Sequence, residues 1–150
     1  MMVSQREPLG QLSESFVARA GIELKRAERY RVFVALSVLD MEFTKEFFTE
    51  VEYAPVMDGI LGVARNSVRA CDYVSLVGPH HVCLLFPETS RQGAEVALRR
   101  IGDSIREELA RRTDKTIDQV IPVELSSYPD AAGARTVEDF LEELQHRARN

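Results

Sequence analysis

The chain has 150 residues, of which 45% are hydrophobic and 29% are charged, a composition typical of one globular domain covering residues 1–150. Its net charge of −5 argues against a protein that binds nucleic acid regardless of sequence, because such a protein needs a basic surface. The first residues lack the apolar segment of a secretory signal, and the apolar runs reach about half the ~20 residues that cross a bilayer. We therefore expect a cytoplasmic protein with no membrane span.

Hydrophobic periodicity divides the first half of the chain into helix, strand and helix. Apolar residues at helical spacing predict an amphipathic helix from about Ser13 to Tyr30. The apolar run from Val32 to Leu39 is almost unbroken, which predicts a strand buried on both faces and therefore central in its sheet. A second helical pattern is carried by Met57, Ile60, Leu61, Ala64, Val68 and Cys71. This pattern places Arg69 and Asp72 at the last turn of that helix and just beyond it.

The second half of the chain continues the alternation. Two short strands, Tyr73 to Val77 and Val82 to Phe86, flank Gly-Pro-His-His and predict a hairpin. A third helix is indicated by Ala94, Ala97, Leu98, Ile101, Ile105 and Leu109. The segment from Val120 to Ser127 predicts a further strand. Because Pro122 has no N–H to donate to a neighbouring strand, we expect this strand to lie at the sheet edge or to begin at the proline. A closing helix is indicated by Val137, Phe140, Leu141, Leu144 and Ala148.

This order of elements predicts the fold class. One strand pair is joined by a tight turn while the other strands are separated by helices, so we expect an α/β (α+β) fold with a mixed central sheet. Helices should cover both faces of that sheet. Cys71 in a helix and Cys83 in a strand are expected to be buried thiols, since no zinc-type spacing surrounds them.

The segment around the predicted hairpin carries the most specific pattern. Arg69-Ala70-Cys71-Asp72 is followed, after five residues, by Gly78-Pro79-His80-His81-Val82 and an apolar strand ending in Pro87. This resembles the GGDEF family of diguanylate cyclases, in which R-x-x-D precedes a G-G-[DE]-E-F hairpin by five residues. Weaker similarities follow the family's order along the chain, at Asp40-Met41-Glu42, Asp58-Gly59 and Ser127-Tyr128-Pro129. The resemblance implies a nucleotidyl-cyclase palm-like fold.

The catalytic half of that pattern is degenerate. Pro79 replaces a glycine that lets phosphate approach the backbone, and it also removes an N–H. His80 and His81 stand where the family has an acidic pair, and imidazole is a poor ligand for Mg²⁺. Phe48, or Phe47, occupies the position of the family's guanine-binding Asn, and a valine replaces the final Phe of the signature. We expect no cyclase activity and no cofactor.

The histidine pair also raises the question of a metal, because imidazole suits zinc, copper or nickel. Adjacent side chains in a strand or turn usually point apart, however, and the sequence suggests no third ligand near His80 and His81. A polar hairpin tip without a metal is therefore expected.

The R-x-x-D half of the pattern is intact. An arginine can donate two hydrogen bonds to guanine, and a carboxylate can accept from the other guanine edge. The spacing occurs three times, at Arg69/Asp72, Arg100/Asp103 and Arg111/Asp114. Only the first copy lies where the family has its product-inhibition site. The resemblance implies that Arg69 and Asp72 bind cyclic di-GMP, that Arg100 completes the ligand cage, and that the ligand promotes a homodimer or contact with a partner protein.

The leading interpretation is thus an inactive domain that reads cyclic di-GMP and relays its level to a partner. Two alternatives remain open. The chain could be a ligand-free scaffold that keeps the fold for protein contacts, in which case Arg69 and Asp72 form only an exposed ion pair. It could also be a GTP-binding regulatory domain that uses Asp58 and Asp40.

Overall fold

The computed structural model describes residues 9–129, together with residues 139, 142, 143 and 146. The helices are α1 (Leu9–Tyr30), α2 (Glu50–Asn66) and α3 (Arg91–Arg112), and a short 3-10 turn covers Glu42–Glu46. The strands are β1 (Val34–Asp40), β2 (Tyr73–Val77), β3 (His81–Pro87) and β4 (Val123–Tyr128). The residues that indicated a closing helix, namely Val137, Phe140, Leu141, Leu144 and Ala148, lie outside the described residues.

The four strands form one sheet in the order β2-β3-β1-β4. The α+β fold class is confirmed, but the sheet that the described residues form is not the mixed sheet that we expected, because its three pairings are all antiparallel. Strands β1 and β2 run in the same direction, yet β3 folds back from β2 and inserts between them. Strands related by a helical crossover therefore never become neighbours, as in the split β-α-β arrangement.

Strand β1 is central, as its sequence predicted. It is flanked by β3 and β4, and residues 34–39 are all buried. Successive side chains of a strand point to opposite faces, so the strand contributes to two cores. Ala35 and Leu39 pack with residues of α2 and α3, whereas Leu36 and Val38 pack with residues of α1.

Helices cover both faces of the sheet, which confirms the expected layering. Phe16 and Leu24 of α1 are buried on one face, and Ile60 of α2 and Ile101 of α3 are buried on the other. Within the part of the chain that the structure describes, none of these helices is both long and apolar enough to cross a membrane.

The ends of the elements differ from the predictions in two places. Helix α2 ends at Asn66, so Cys71 lies beyond it and is exposed, whereas Cys83 in β3 is buried as expected. Strand β4 begins after Pro122, whose carbonyl accepts the N–H of Asp40 at 3.0 Å. Because β4 is an edge strand, the position inferred from the proline is confirmed.

The core between the sheet and α3 should dominate stability. Ile101 is fully buried, whereas Ile22 on α1 is 54% exposed. We expect Ile101→Ala to lower the free energy of unfolding by about 2–5 kcal/mol, through lost burial and a residual cavity. Ile22→Ala should change it by less than about 1 kcal/mol. Urea denaturation of both variants checks this, and equal losses would contradict the assignment of the core.

Candidate functional site

The segment between α2 and β2 holds Arg69 and Asp72 in a tight turn. The N–H of Asp72 donates to the carbonyl of Arg69 at 3.0 Å, and the N–H of Arg69 donates to the Asp72 carboxylate at 2.9 Å. The Asp72 side chain therefore accepts the N–H of Arg69, which in a continuing helix would donate to a backbone carbonyl one turn earlier. The prediction that these residues lie at the last turn of α2 is therefore wrong, because the helix has already ended at Asn66.

The two side chains form a bidentate ion pair. Nη2 of Arg69 lies 3.0 Å from Oδ1 of Asp72, and Nε lies 3.3 Å from Oδ2. The Arg69 side chain is 54% exposed, whereas that of Asp72 is only 3% exposed. Hydrogen bonding to Asp72 raises the pKa of Arg69 further above its ordinary value, which favours the charged guanidinium. The buried carboxylate of Asp72 thus fixes the position of the more exposed arginine.

Arg69 also connects the turn to two other elements. Its Nη2 donates to the carbonyl of Pro87 at 3.0 Å, at the end of β3, and to Oγ1 of Thr89 at 2.6 Å, just before α3. Among the hydrogen bonds of the described residues, these contacts use Nε and Nη2. Nη1 is therefore the part of the guanidinium fork that remains for a ligand.

Arg100 reaches the same place from α3. Its Nη2 donates to the carbonyl of Ser67 at 3.0 Å, so this arginine turns toward the end of α2. A cavity of about 330 Å³ lies between these groups and is lined by Arg69, Asp72, Thr89, Gly93, Val96 and Arg100, among others. The structure thus brings together all three residues that were predicted to bind the ligand.

The segment from Gly78 to Val82 lies at the turn end of the β2–β3 hairpin, away from the Arg69 turn. Gly78, Pro79 and His80 make the turn, and Val77 pairs with His81 across it. Gly78 has a φ of +71°, a conformation that glycine adopts without a steric penalty. Val82, which follows His81 in β3, is fully buried and belongs to the core.

The two histidine rings do not point apart. Their centroids lie 4.7 Å from each other with an interplanar angle of 40°. The expected divergence holds for successive residues inside a strand, but His80 belongs to the turn and His81 is the first residue of β3. Each ring also has an acidic neighbour: Nε2 of His80 is 3.8 Å from Oε2 of Glu42, and Nε2 of His81 is 3.9 Å from Oδ2 of Asp40.

The sequence analysis found no third ligand near the histidines because it looked along the chain. In the β1–β3 register, Asp40 lies directly opposite His81. One ligand atom from each of Asp40, His80 and His81 falls within 4.8 Å of the others. Only the pairing of β1 with β3 could have revealed this group, and the sequence analysis did not predict which strands pair.

Phe48 and Phe47, which the resemblance aligned with a guanine-binding Asn, lie in or against the hydrophobic core. Phe48 is 7% exposed and belongs to the cluster between the sheet and α2, while Phe47 packs against that cluster. Asp58 lies on the exposed side of α2. Asp40 already uses Oδ1 to accept the N–H of Glu42 at 3.0 Å.

Comparison with known proteins places this geometry in a structural context. The sequence matches no protein-family profile and no curated protein sequence. The structure, in contrast, is similar to solved GGDEF domains. The diguanylate cyclase SiaD from Pseudomonas aeruginosa, solved with its activator SiaC, gives a TM-score of 0.70 at 20% identity, over 97% of this chain and 57% of SiaD.

Two isolated GGDEF domains are similar over most of their own length. The domain of DgcB from Caulobacter crescentus, solved with c-di-GMP, gives a TM-score of 0.66 at 16% identity and covers 99% of this chain and 90% of that one. The domain of PA1120 (TpbB or YfiN) from Pseudomonas aeruginosa gives 0.65 at 21% identity, with coverages of 97% and 87%. Likeness at this level of identity establishes the fold. The antiparallel sheet flanked by helices is the palm-like fold of GGDEF diguanylate cyclase domains.

The Arg69 turn should depend on Asp72 for its stability. Asp72→Ala removes the acceptor of the Arg69 N–H and of two guanidinium bonds, so we expect the free energy of unfolding to fall by about 1–2 kcal/mol. Asp103→Ala, in the R-x-x-D copy on α3, should change it by less than about 0.5 kcal/mol. Denaturant titration of both variants measures the difference, and an Asp72→Ala protein as stable as the wild type would contradict this account of the turn.

Proposed function

We propose that the chain is a catalytically inactive domain with the GGDEF fold that binds cyclic di-GMP and relays its presence to a partner. The observation that carries this proposal is the convergence of Arg69, Asp72 and Arg100, from two separate segments, on one open cavity. The DgcB domain, which has the same fold, was solved with c-di-GMP, and this supports the choice of ligand.

Each of the three residues has a distinct task in this proposal. Nη1 of Arg69, which the contacts of the guanidinium with the described residues leave unused, donates to O6 or N7 of a guanine or to a phosphate oxygen. Asp72, at 3% exposure, acts mainly by fixing the orientation and charge of Arg69. Arg100 supplies a second positive charge from α3. A phosphate or the second guanine of the ligand would replace the Ser67 carbonyl as the acceptor of its hydrogen bond.

The hairpin tip supports the absence of catalysis. Phosphoryl transfer from GTP requires carboxylates that hold Mg²⁺ and a backbone that cradles the phosphates. His80 and His81 replace the acidic pair, and Pro79 removes a backbone donor from the turn. Phe48 in the core offers guanine no hydrogen bond, which also disfavours the alternative of a GTP-binding regulatory domain.

The contacts of Arg69 suggest how occupancy is relayed. The arginine bonds Thr89, which directly precedes Ser90, the residue that caps α3 through the N–H of Gly93. A ligand held by Arg69 and Arg100 would therefore be linked to α3 at two points. One is the start of the helix, through Arg69 and Thr89, and the other is Arg100 within the helix. Val96 on that helix is 60% exposed beside the cavity. A second copy of the domain, bridged by a stacked pair of ligands, would cover this surface.

The first test concerns catalysis. Purified protein incubated with GTP and Mg²⁺ or Mn²⁺ should form no cyclic di-GMP, because His80 and His81 replace the acidic pair and Pro79 disrupts the phosphate cradle. The triple variant Pro79→Gly, His80→Glu, His81→Glu should also make little, since the guanine pocket is still missing. An active diguanylate cyclase assayed in parallel serves as the positive control. Product above that of a heat-denatured sample would contradict the proposal.

The second test concerns the ligand. We expect cyclic di-GMP to bind with a dissociation constant of about 1 μM or lower, or about −8.2 kcal/mol, which a few charge-assisted hydrogen bonds and stacking can provide. Arg69→Ala should weaken binding roughly tenfold or more. Arg100→Ala should have a milder effect and should mainly reduce ligand-dependent dimerisation. Calorimetry measures affinity, and size-exclusion chromatography with and without ligand measures the dimer.

Arg99→Ala is the matched control for Arg100→Ala, because Arg99 is the adjacent exposed arginine on α3 and lines a different groove. It should leave affinity unchanged. If the wild type gives neither heat nor a thermal shift with excess cyclic di-GMP, the receptor proposal fails and the scaffold alternative takes its place.

A further inference from the structure

The tip of the β2–β3 hairpin and the end of β1 form a cluster that the proposed function does not use. It consists of Asp40, His80 and His81, with Glu42 beside it. From its geometry we propose that the cluster binds a divalent transition-metal ion of the zinc type, through one nitrogen of each histidine and one oxygen of Asp40.

The donor set fits such an ion. Two imidazole nitrogens and a carboxylate are typical ligands of zinc, and they also suit nickel and copper, whereas Mg²⁺ prefers an all-oxygen shell. Three protein ligands leave a fourth position for water or for Glu42, whose Oε2 lies 3.8 Å from Nε2 of His80. The site is therefore of the open, three-ligand kind.

The distances are those of a site that is assembled but not yet closed. The three ligand atoms lie within 4.8 Å of one another. A tetrahedral zinc ion with bonds of about 2.0–2.1 Å keeps its ligand atoms about 3.3 Å apart. Closing the site thus requires side-chain movements of at most about 1.5 Å, which rotations of the three side chains can supply.

The backbone around the cluster is held firmly. The N–H of Met41 donates to the carbonyl of His80 at 2.8 Å, and the N–H of Asp40 donates to the carbonyl of Pro122 at 3.0 Å. The N–H of Glu42 donates to Oδ1 of Asp40 at 3.0 Å, which orients the carboxylate and leaves Oδ2 on the side of His81. Such outer contacts are what fix a metal ligand in position.

Two further observations favour a cation here. Nδ1 of His80 is buried and has no hydrogen-bond partner within the described residues, an arrangement that costs free energy unless something else satisfies the atom. Two carboxylates, those of Asp40 and Glu42, also lie beside the histidine rings. The same two carboxylates attract a positive ion to this end of the sheet.

This site is independent of the proposed ligand site. The pair Val77 and His81 marks one end of the hairpin, and the pair Tyr73 and Leu85 marks the end next to the Arg69 turn. Strand β2 has five residues from one end to the other, which corresponds to roughly 13 Å of strand. Variants of the histidines should therefore leave cyclic di-GMP binding unchanged.

The experiment uses the full chain, purified without a histidine tag and treated with a chelator. Titration with Zn²⁺ against a chromophoric chelator should show one tight site, while excess Mg²⁺ should not compete. Co²⁺ in the same site should give visible ligand-field bands without a thiolate charge-transfer band, which separates this site from the exposed Cys71. Each of His80→Gln, His81→Gln and Asp40→Asn should weaken Zn²⁺ binding roughly tenfold or more.

The matched control is His146→Gln, which removes the remaining, exposed histidine and should leave affinity unchanged. Circular dichroism melts establish that each variant is folded. Absence of a stoichiometric site in the wild type would overturn the proposal without reference to any variant. It would also be overturned by binding that survives in the His80→Gln, His81→Gln double variant, by loss of binding in His146→Gln, or by a thiolate band.

Discussion

The insertion of β3 between β1 and β2 is the constraint on which the rest of the structure depends. It makes β1 and β3 the two inner strands of the sheet, each buried on both faces, and it brings both ends of the β2–β3 hairpin against other elements. One end meets the last residue of β1, where Asp40 lies opposite His81. The other end meets the Arg69 turn and the start of α3. Both candidate sites therefore depend on the position of β3, one at each of its ends.

Local patterns in the sequence identified most elements, because an element that is buried on one or two faces carries apolar residues at a characteristic spacing. The unbroken apolar run in β1 indicated a central strand, and Pro122 indicated the edge position of β4. What the patterns could not supply was the direction and order of pairing. The sheet is antiparallel and not mixed because β3 separates the strands that the crossover makes parallel, and no residue marks that choice by itself.

The candidate site shows the same division between local and tertiary information. Three R-x-x-D spacings occur in the chain, yet Arg100 bonds Ser67 and Arg111 bonds Glu108, whereas Arg69 closes its turn on Asp72. The resemblance to GGDEF domains selected the Arg69/Asp72 copy, and in this copy the arginine and the aspartate bond each other. It did not reveal that the Asp72 side chain would be buried or that the histidines would lie beside Asp40. Both findings depend on residues that only the fold brings close together.

Arg69 has a structural role in addition to its proposed one. Through Asp72, Pro87 and Thr89 the same side chain fastens three consecutive parts of the chain, so the turn needs it even when no ligand is present. The stability of the turn and the proposed ligand binding therefore depend on the same pair of residues. A lineage that abandoned nucleotide signalling would still tend to keep them, and survival of this motif in a set of relatives is informative about function only where Arg100, on the other side of the cavity, is kept as well.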